Sequence, residues 1–171
     1  MNMIDALLTI IFVLVDNWYQ SYGYRFVPSL SGPATVFSES KMLTLLLAMD
    51  YFPYPGEQQF LGFIQGNYLG LFPKLLNQSQ FNRCARRLEG VMEELRRFGV
   101  RELGAIFERI FILDTKPVPV LGYKRDKQRS DFAGCASYGY CASRQMHYFG
   151  YKLVVLSTLE CVSCSPLLVL P

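Results

Sequence analysis

The hydrophobic pattern of this sequence changes its period near residue 105, and that change limits the folds that the chain can adopt. Up to Gly104, apolar residues recur at helical spacing, whereas the later residues form short runs rich in β-branched and aromatic side chains. A helical segment followed by strands is typical of an α+β fold. We therefore predict a helical domain over residues 1–104 and a β-containing domain that begins at residue 105.

Helices are predicted throughout the first domain. They span about residues 3–22, 39–49, 57–69 and 79–98. Ser38 and Ser79 are suited to cap the second and fourth helices, and Gly99 is suited to end the fourth. The fourth helix has a continuous apolar stripe, which predicts that one of its faces packs into a core.

The first helix includes an apolar run, Ala6–Val15, that we interpret as a buried core helix. The run is far shorter than the ~20 residues that span a bilayer. Asp5 stands where a secretion signal carries a basic residue, and no small-residue cleavage site follows.

The chain has five cysteines, an odd number without tight repeated spacing, which favours free thiols in a reducing compartment. We therefore predict a cytoplasmic protein with no membrane partner.

Two strands are predicted in the second domain. Ile106–Leu113 predicts a buried strand with Asp114 at its carboxyl end, and residues 115–120 continue extended because the residue before a proline avoids the α region. Tyr148–Ser157 predicts a second strand that is apolar on both faces, as expected for a strand covered on both sides. The segment Lys124–Tyr140 between them is predicted to be a polar loop.

Positive charge is concentrated beside Asp114. The segment 116–152 holds seven basic residues against two acids, whereas the whole chain has a net charge of +3. A carboxylate that holds Mg²⁺ beside phosphate-neutralising bases suits phosphodiester chemistry. The alternative is an aspartate that caps a turn beside a solvated basic loop. The basic residues are Lys116, Lys124, Arg125, Lys127, Arg129, Arg144 and Lys152, and the acids are Asp126 and Asp131.

The fourth helix also carries a basic face. Arg83, Arg86 and Arg87 could contact phosphates as in a recognition helix, or they could pair with acids of their own helix such as Glu89 and Glu93. The gap before this helix, residues 70–79, is too long for a tight helix-turn-helix. Both interpretations of these arginines therefore stay open at the level of sequence.

Two motifs in the second domain resemble those of bacterial insertion-sequence transposases of the DDE type. Residues 112–120 read Ile-Leu-Asp-Thr-Lys-Pro-Val-Pro-Val, and residues 147–153 read His-Tyr-Phe-Gly-Tyr-Lys-Leu. In that family an aspartate followed by Ser or Thr, any residue and proline ends the first strand of an RNase H-like sheet. A strand with a Tyr-Gly-Tyr/Phe-Lys-Leu motif pairs beside it. The helical part is similar as well, over residues 37–45 and 81–88.

The resemblance implies that the chain belongs to a system that cleaves and joins DNA at the inverted-repeat ends of an insertion element. Three acids of such enzymes hold two divalent cations. Asp114 matches the first acid, so the resemblance implies that it is both catalytic and a Mg²⁺ ligand. The implied α+β fold is a helical, DNA-binding N-terminal domain followed by the first strands of an incomplete RNase H-like mixed sheet over 105–160.

The last residues depart from the family. Residues 161–171 are apolar and end on proline where the family continues into a further strand, so we expect a truncated copy with an aberrant tail that lacks the second and third acids and is inactive. Its expected partners are DNA and either a second copy or the full-length transposase. The alternatives are a non-enzymatic DNA-binding module and a helical interaction protein. The residues expected to contact DNA are Arg83, Arg86, Arg87, Lys116, Lys124, Arg125, Lys127, Arg129 and Lys152.

Overall fold

The computed structural model describes residues 3–28, 37–54, 56–121, 131–160 and 162–171, and it has an α+β architecture. Helices occupy the first part of the chain and an antiparallel sheet occupies the last part, as the change of period predicted. The helices are α1 (Met3–Ser21), α2 (Glu39–Met49), α3 (Glu57–Asn67), α4 (Gln78–Arg87) and α5 (Glu89–Glu102). The strands are β1 (Phe111–Leu121), β2 (Ser137–Cys141), β3 (Met146–Thr158) and β4 (Ser163–Val169).

The chain divides into two compact units, Met1–Phe98 and Gly99–Pro171. The division falls inside α5, near the domain boundary predicted around residue 105. The helical unit has one hydrophobic core, to which α1 to α5 all contribute. Among its fully buried side chains are Leu8, Leu43, Phe60, Phe81 and Leu88. Burial of such side chains is the main source of stability for this unit.

One side of α1 packs into the core and the other is exposed, so the prediction of a buried core helix is confirmed only in part. Leu8, Val15 and Trp18 pack into the core, whereas Leu14 is 65% exposed and Ile10 is exposed beside it. Among the described residues, α1 is the one helix whose length and composition would let it cross a membrane. Core helices and signal sequences meet the same criterion, so this property is weak evidence for a membrane span.

The predicted fourth helix is two helices that meet at Leu88. Asn77 caps α4 instead of Ser79, because its side chain accepts from the Gln80 N–H at 2.9 Å while the Gln80 side chain accepts from the Asn77 N–H at 3.2 Å. Leu88 leaves the helical conformation at φ −90°, ψ 5° and is fully buried. Gly99 lies within α5, and Gly104 adopts the left-handed conformation (φ 70°) just after the helix. The predicted Ser38 cap of α2 is confirmed.

The sheet is organised around β3, which pairs with β1 on one edge and with β2 and then β4 on the other. Its extent confirms the predicted strand Tyr148–Ser157, and its pairing with β1 is antiparallel. The predicted polar loop ends in β2, while its residues 124–130 lie outside the described ranges. The expected tail forms β4 and pairs with Lys152–Ser157 of β3.

Two expectations for the sheet were wrong within the described residues. All strand pairs there are antiparallel, whereas a mixed sheet was expected. The strand that carries Asp114 begins at Phe111 and is exposed, with Leu113 at 64%, whereas a buried strand that ends at Asp114 was expected. The prolines 117 and 119 did not end the strand, because an edge strand tolerates proline where its nitrogen faces away from the ladder.

Alternate residues of β1 direct their N–H groups away from β3, and the prolines identify which residues these are. Pro117 and Pro119 have no N–H to donate, so we assign the outward-pointing backbone N–H groups to the odd-numbered residues of β1 up to Pro119, where the register shifts. The same alternation places Pro166, which lies opposite Val155, outward on β4. Prolines at both outer edges oppose pairing with other chains.

Gly150 of β3 allows β1 to approach closely at a register shift. Gly150 lies opposite Pro119, and the β1–β3 register shifts between Pro119 and Leu121. A Cβ atom at Gly150 would overlap the Val118 carbonyl group. The position therefore requires a residue without a side chain.

We expect Gly150→Ala to lower the free energy of unfolding of the sheet unit by about 1–3 kcal/mol, because β1 must move away to make room for the methyl group. Urea denaturation followed by far-UV circular dichroism, with hydrogen exchange of β3 amides, measures the loss. Gly66→Ala is the control, because a Cβ atom there meets nothing within 4 Å and alanine favours the helix. Equal stability of the two variants would contradict this account of Gly150.

Candidate nucleic-acid interface

Asp114 lies on the exposed part of β1, opposite Val155 of β3. Its Oδ1 atom accepts a hydrogen bond of 2.7 Å from the backbone N–H of Thr115. Thr115 is one of the residues whose N–H faces away from β3, so this bond satisfies a donor that the sheet leaves open. Asp114 therefore has a structural partner at the edge of the sheet. It lies in a strand, whereas the alternative interpretation of the sequence placed it in a turn.

Asp114 is the one position to which the resemblance assigns a metal. Within the described ranges, no group of three or more His, Cys, Asp or Glu side chains is placed to hold a metal ion. A two-metal site of the kind used in phosphodiester cleavage needs several carboxylates around the ions. The described residues do not supply such a site, and we derive no metal-dependent step from Asp114.

The two lysines of the sheet lie on opposite faces. Asp114 and Lys116 are two residues apart on β1 and share a face, whereas Lys152 lies opposite Pro117 on the other face. Lys116 is exposed and Lys152 is half-buried. The remaining predicted bases of this region, Lys124, Arg125, Lys127 and Arg129, lie outside the described residues.

Aromatic side chains line the Asp114–Lys116 face at the β2–β3 hairpin. Tyr138 lies opposite Phe149 and Tyr140 lies opposite His147, with ring centroids 5.1 Å and 4.8 Å apart. The two tyrosines remain 58% and 56% exposed, although each contacts its cross-strand partner. We call Tyr138, Tyr140, His147 and Phe149 the aromatic face of the hairpin. In the sequence, this face is indicated by the two tyrosines that alternate with smaller residues in Ser137–Cys141.

Tyr148 belongs to the opposite face and has a different environment. It lies opposite Gly139 and is buried, and a Cβ atom at Gly139 would meet the Tyr148 ring within 3 Å. The absence of a side chain at Gly139 therefore makes room for this ring. Tyr148 therefore packs within the sheet, whereas Tyr138 and Tyr140 are more than half exposed on the opposite face.

The three arginines of α4 have different environments. Arg87 pairs with Glu39 of α2 at 2.9 Å, and both side chains are largely buried. Its buried Nε atom has no hydrogen-bond partner among the described residues. Burial raises the pKa of the nearby Tyr19, and the Glu39 carboxylate raises it further, whereas the positive charge of Arg87 lowers it. Arg87 thus connects two helices of the core and is not presented to solvent.

Arg86 and Arg83 are both exposed, but their surroundings differ. Arg86 lines a groove of about 800 Å³ that is also lined by Asp50, Glu57 and Glu89. These carboxylates oppose the approach of a polyanion to Arg86. Arg83 has no ion-pair partner within the part of the chain that the structure describes.

The arginines at the end of the helical unit are neutralised by acids of the same helix. Glu93 accepts from Arg96 at 2.7 Å and from Arg97 at 3.0 Å, and Arg97 also pairs with Glu94 at 2.9 Å. The hydrogen bond from Arg96, followed by that from Arg97, lowers the pKa of Glu93 to about 2. Glu93 is therefore ionised at neutral pH, and these pairs are those expected of an amphipathic helix.

The net positive charge of the chain resides in the sheet unit. Residues 99–171 hold nine Lys and Arg against six Asp and Glu, whereas residues 1–98 hold eight of each. The helical unit is therefore neutral in spite of its arginine-rich helices. A nucleic acid would be attracted to the sheet unit first.

Comparison of the chain with protein-family models, with curated proteins and with solved structures found no match.

We expect Arg87→Ala to lower the free energy of unfolding of the helical unit by about 1–3 kcal/mol, because Glu39 would lose this ion pair in a largely buried setting. Arg83→Ala removes the same charge from an exposed position of the same helix and should change stability by less than about 0.5 kcal/mol. Urea unfolding monitored by Trp18 fluorescence compares the two variants. The assignment of Arg87 to the core would be wrong if both variants were equally stable.

Proposed function

We propose that this chain is a DNA-binding protein of the DDE-transposase type that acts at the ends of an insertion element and does not cleave DNA by itself. The observation that supports this proposal most is that the whole net charge of +3 lies in the unit that contains the antiparallel sheet. DNA binds proteins chiefly through its phosphates, so the excess of positive charge decides which unit it approaches. Binding is therefore assigned to the sheet unit and not to the arginines of α4.

The relation to transposases is supported by the pairing of the two motif-bearing strands. The resemblance implied that the strand with Asp114 would lie beside the strand with the motif of residues 147–153, His-Tyr-Phe-Gly-Tyr-Lys-Leu. β1 and β3 pair in that way, with Asp114 opposite Val155 and Lys116 opposite Leu153. The RNase H-like identity of the sheet remains part of this proposal.

Binding is favoured over cleavage by the setting of Asp114. Its Oδ1 atom is engaged by the Thr115 N–H, and the described residues contain no cluster of metal-ligating side chains. Phosphodiester cleavage of this type requires several acids around its metal ions. Mg²⁺ binding at Asp114 is therefore the least supported part of the resemblance, and DNA binding does not depend on it.

The proposed partners follow from the same relation. The DNA is that of the inverted repeats, and the protein partner is a second copy or an active transposase at the same ends. Occupation of the ends without cleavage would inhibit the active enzyme. This role requires a protein of the cytoplasm, where bacterial DNA is accessible.

We expect the chain to bind duplex DNA of about 30 base pairs with a salt slope of about −4 to −5 in log K against log [salt], which corresponds to about five phosphate contacts. Fluorescence anisotropy over a KCl series measures this slope. The double variant Lys116→Ala/Arg144→Ala should reduce its magnitude by about 2, because two exposed cations of the sheet unit are lost.

Arg96→Ala/Arg97→Ala is the matched control for that experiment. It removes the same charge, but from arginines already paired with Glu93 and Glu94. The slope should change little. A flat salt dependence of the unmodified chain, or an equal effect of both double variants, would contradict the assignment of DNA binding to the sheet unit.

We further expect no cleavage of inverted-repeat duplex by the chain in Mg²⁺ or Mn²⁺, and no difference between the unmodified chain and Asp114→Ala. Asp114→Asn retains a side-chain oxygen for the Thr115 N–H and controls for the loss of that bond. Gel analysis of end-labelled DNA detects nicks. Cleavage that is abolished in both variants would show that Asp114 is catalytic and that the proposal of binding alone is wrong.

A further inference from the structure

We propose that the groove lined by α2, α3, α4 and α5 binds a positively charged amphipathic helix of a partner protein. The groove has a volume of about 800 Å³, and all of its lining residues belong to the helical unit. We call it the acidic groove, after the carboxylates of Asp50, Glu57 and Glu89 that line it. This inference is independent of the DNA binding that we assign to the sheet unit.

The first support is an apolar floor that rests on the core. Leu46, Leu47 and Met49 of α2 and Met92 of α5 line the groove and are half-buried. Each of these side chains packs against the buried core, so close-packed residues back the floor while part of it stays open to solvent. Methionine side chains adapt to apolar groups of different shapes. The floor can therefore receive large apolar side chains of a partner.

The second support is an excess of negative charge around this floor. Four carboxylates and two guanidinium groups line the groove, which gives it a net charge of −2, whereas the helical unit as a whole is neutral. One of the four carboxylates, that of Glu93, is paired with Arg96 at 2.7 Å. Within the described part of the chain, Asp50 and Glu89 have no ion-pair partner, and both are exposed. The groove can therefore pair with cations of a partner.

Asp50 gives the clearest indication that the partner is cationic. It lies at the carboxyl end of α2. The carboxyl end of a helix has a partial negative charge, so a carboxylate at that position is unfavourable for the stability of the helix. A Lys or Arg side chain beside Asp50 would be attracted by the carboxylate and by the helix end together.

An amphipathic helix fits the acidic groove better than DNA, an anionic membrane or an extended peptide does. Phosphate groups of DNA or lipid would be repelled by the carboxylates. An extended peptide binds chiefly through backbone hydrogen bonds to the edge of a sheet, whereas this groove is lined by helices. A helix can place apolar side chains on the floor and Lys or Arg side chains beside the carboxylates.

The experiment measures binding of fluorescein-labelled peptides to the full chain by fluorescence anisotropy. The probe is a peptide of about 15 residues in which leucines form one face of a helix and lysines the other. A peptide of the same composition, reordered so that its leucines share no face, should bind at least about tenfold more weakly. A peptide with glutamate in place of lysine should lose affinity by at least about tenfold as well, because its charge is repelled.

Two variants of the chain test the floor and the charges separately. Met92→Lys should weaken binding of the leucine–lysine peptide by at least about tenfold, because the floor acquires a charge of the same sign as the peptide. Asp50→Asn/Glu89→Gln should weaken it by about fivefold to tenfold, because two exposed charge pairs are lost. Asp50→Asn alone should unfold at the same urea concentration as the unmodified chain or at a higher one, because an unfavourable charge at the end of α2 is removed.

Each variant has a matched control outside the groove. Met3→Lys makes the same substitution at a residue of α1 that is 83% exposed. Glu102→Gln/Glu108→Gln removes the same charge from two exposed residues of the other unit. Both controls should bind the peptide within about twofold of the unmodified chain. Should Met92→Lys fail to fold, the variant of the two exposed carboxylates still tests the proposal.

Three outcomes would overturn the inference. The first is binding of the leucine–glutamate peptide as tight as that of the leucine–lysine peptide. The second is an equal effect of the groove variants and their controls, which would place the peptide elsewhere on the chain. The third is a dimer of the chain in sedimentation that Met92→Lys abolishes, since a second copy would then occupy the groove. Losses confined to the groove variants and to the two altered peptides would support the inference.

Discussion

The sheet depends on β3, because the other described strands make their ladder hydrogen bonds to it. β1 pairs along one edge of β3, and β2 and β4 follow each other along the opposite edge. Gly150 lies where β1 and β2 both oppose β3, and a side chain there would overlap Val118. A single strand therefore fixes the register of all three partners, and with the register it fixes which side chains share a face.

That register explains how charge and aromatic rings come together. Asp114 and Lys116 lie on the face that Tyr138 and Tyr140 share, whereas Lys152 and Tyr148 lie on the other. If β1 paired with β3 one residue out of this register, Asp114 and Lys116 would move to the other face of the sheet, because side chains alternate along a strand. Pro117 and Pro119 resist such a shift, since either proline would then be turned toward β3 without an N–H to donate.

The sequence predicted the elements whose signal is local and continuous. β3 was found because a long apolar run has few other interpretations, and the Ser38 cap was found because its partner lies three residues away. β2 was missed because five residues with a central glycine, Gly139, carry little strand signal of their own. The Thr115–Asp114 hydrogen bond could not be foreseen, because it exists only where β1 is at the edge of the sheet.

The candidate interface illustrates why basic residues have to be considered together with the acids that pair with them. The arginines of the helical unit dominate the sequence pattern, yet Arg87, Arg96 and Arg97 each lie within about 3 Å of a carboxylate. An ion-paired arginine brings no net charge to a phosphate unless its carboxylate is displaced, and that displacement costs free energy. Lys116 and Arg144 have no such pair among the described residues. Under the proposed function, phosphate contacts of Lys116 and Arg144 would release counterions from the DNA without displacing a carboxylate, whereas contacts of the paired arginines of α5 would have to displace one.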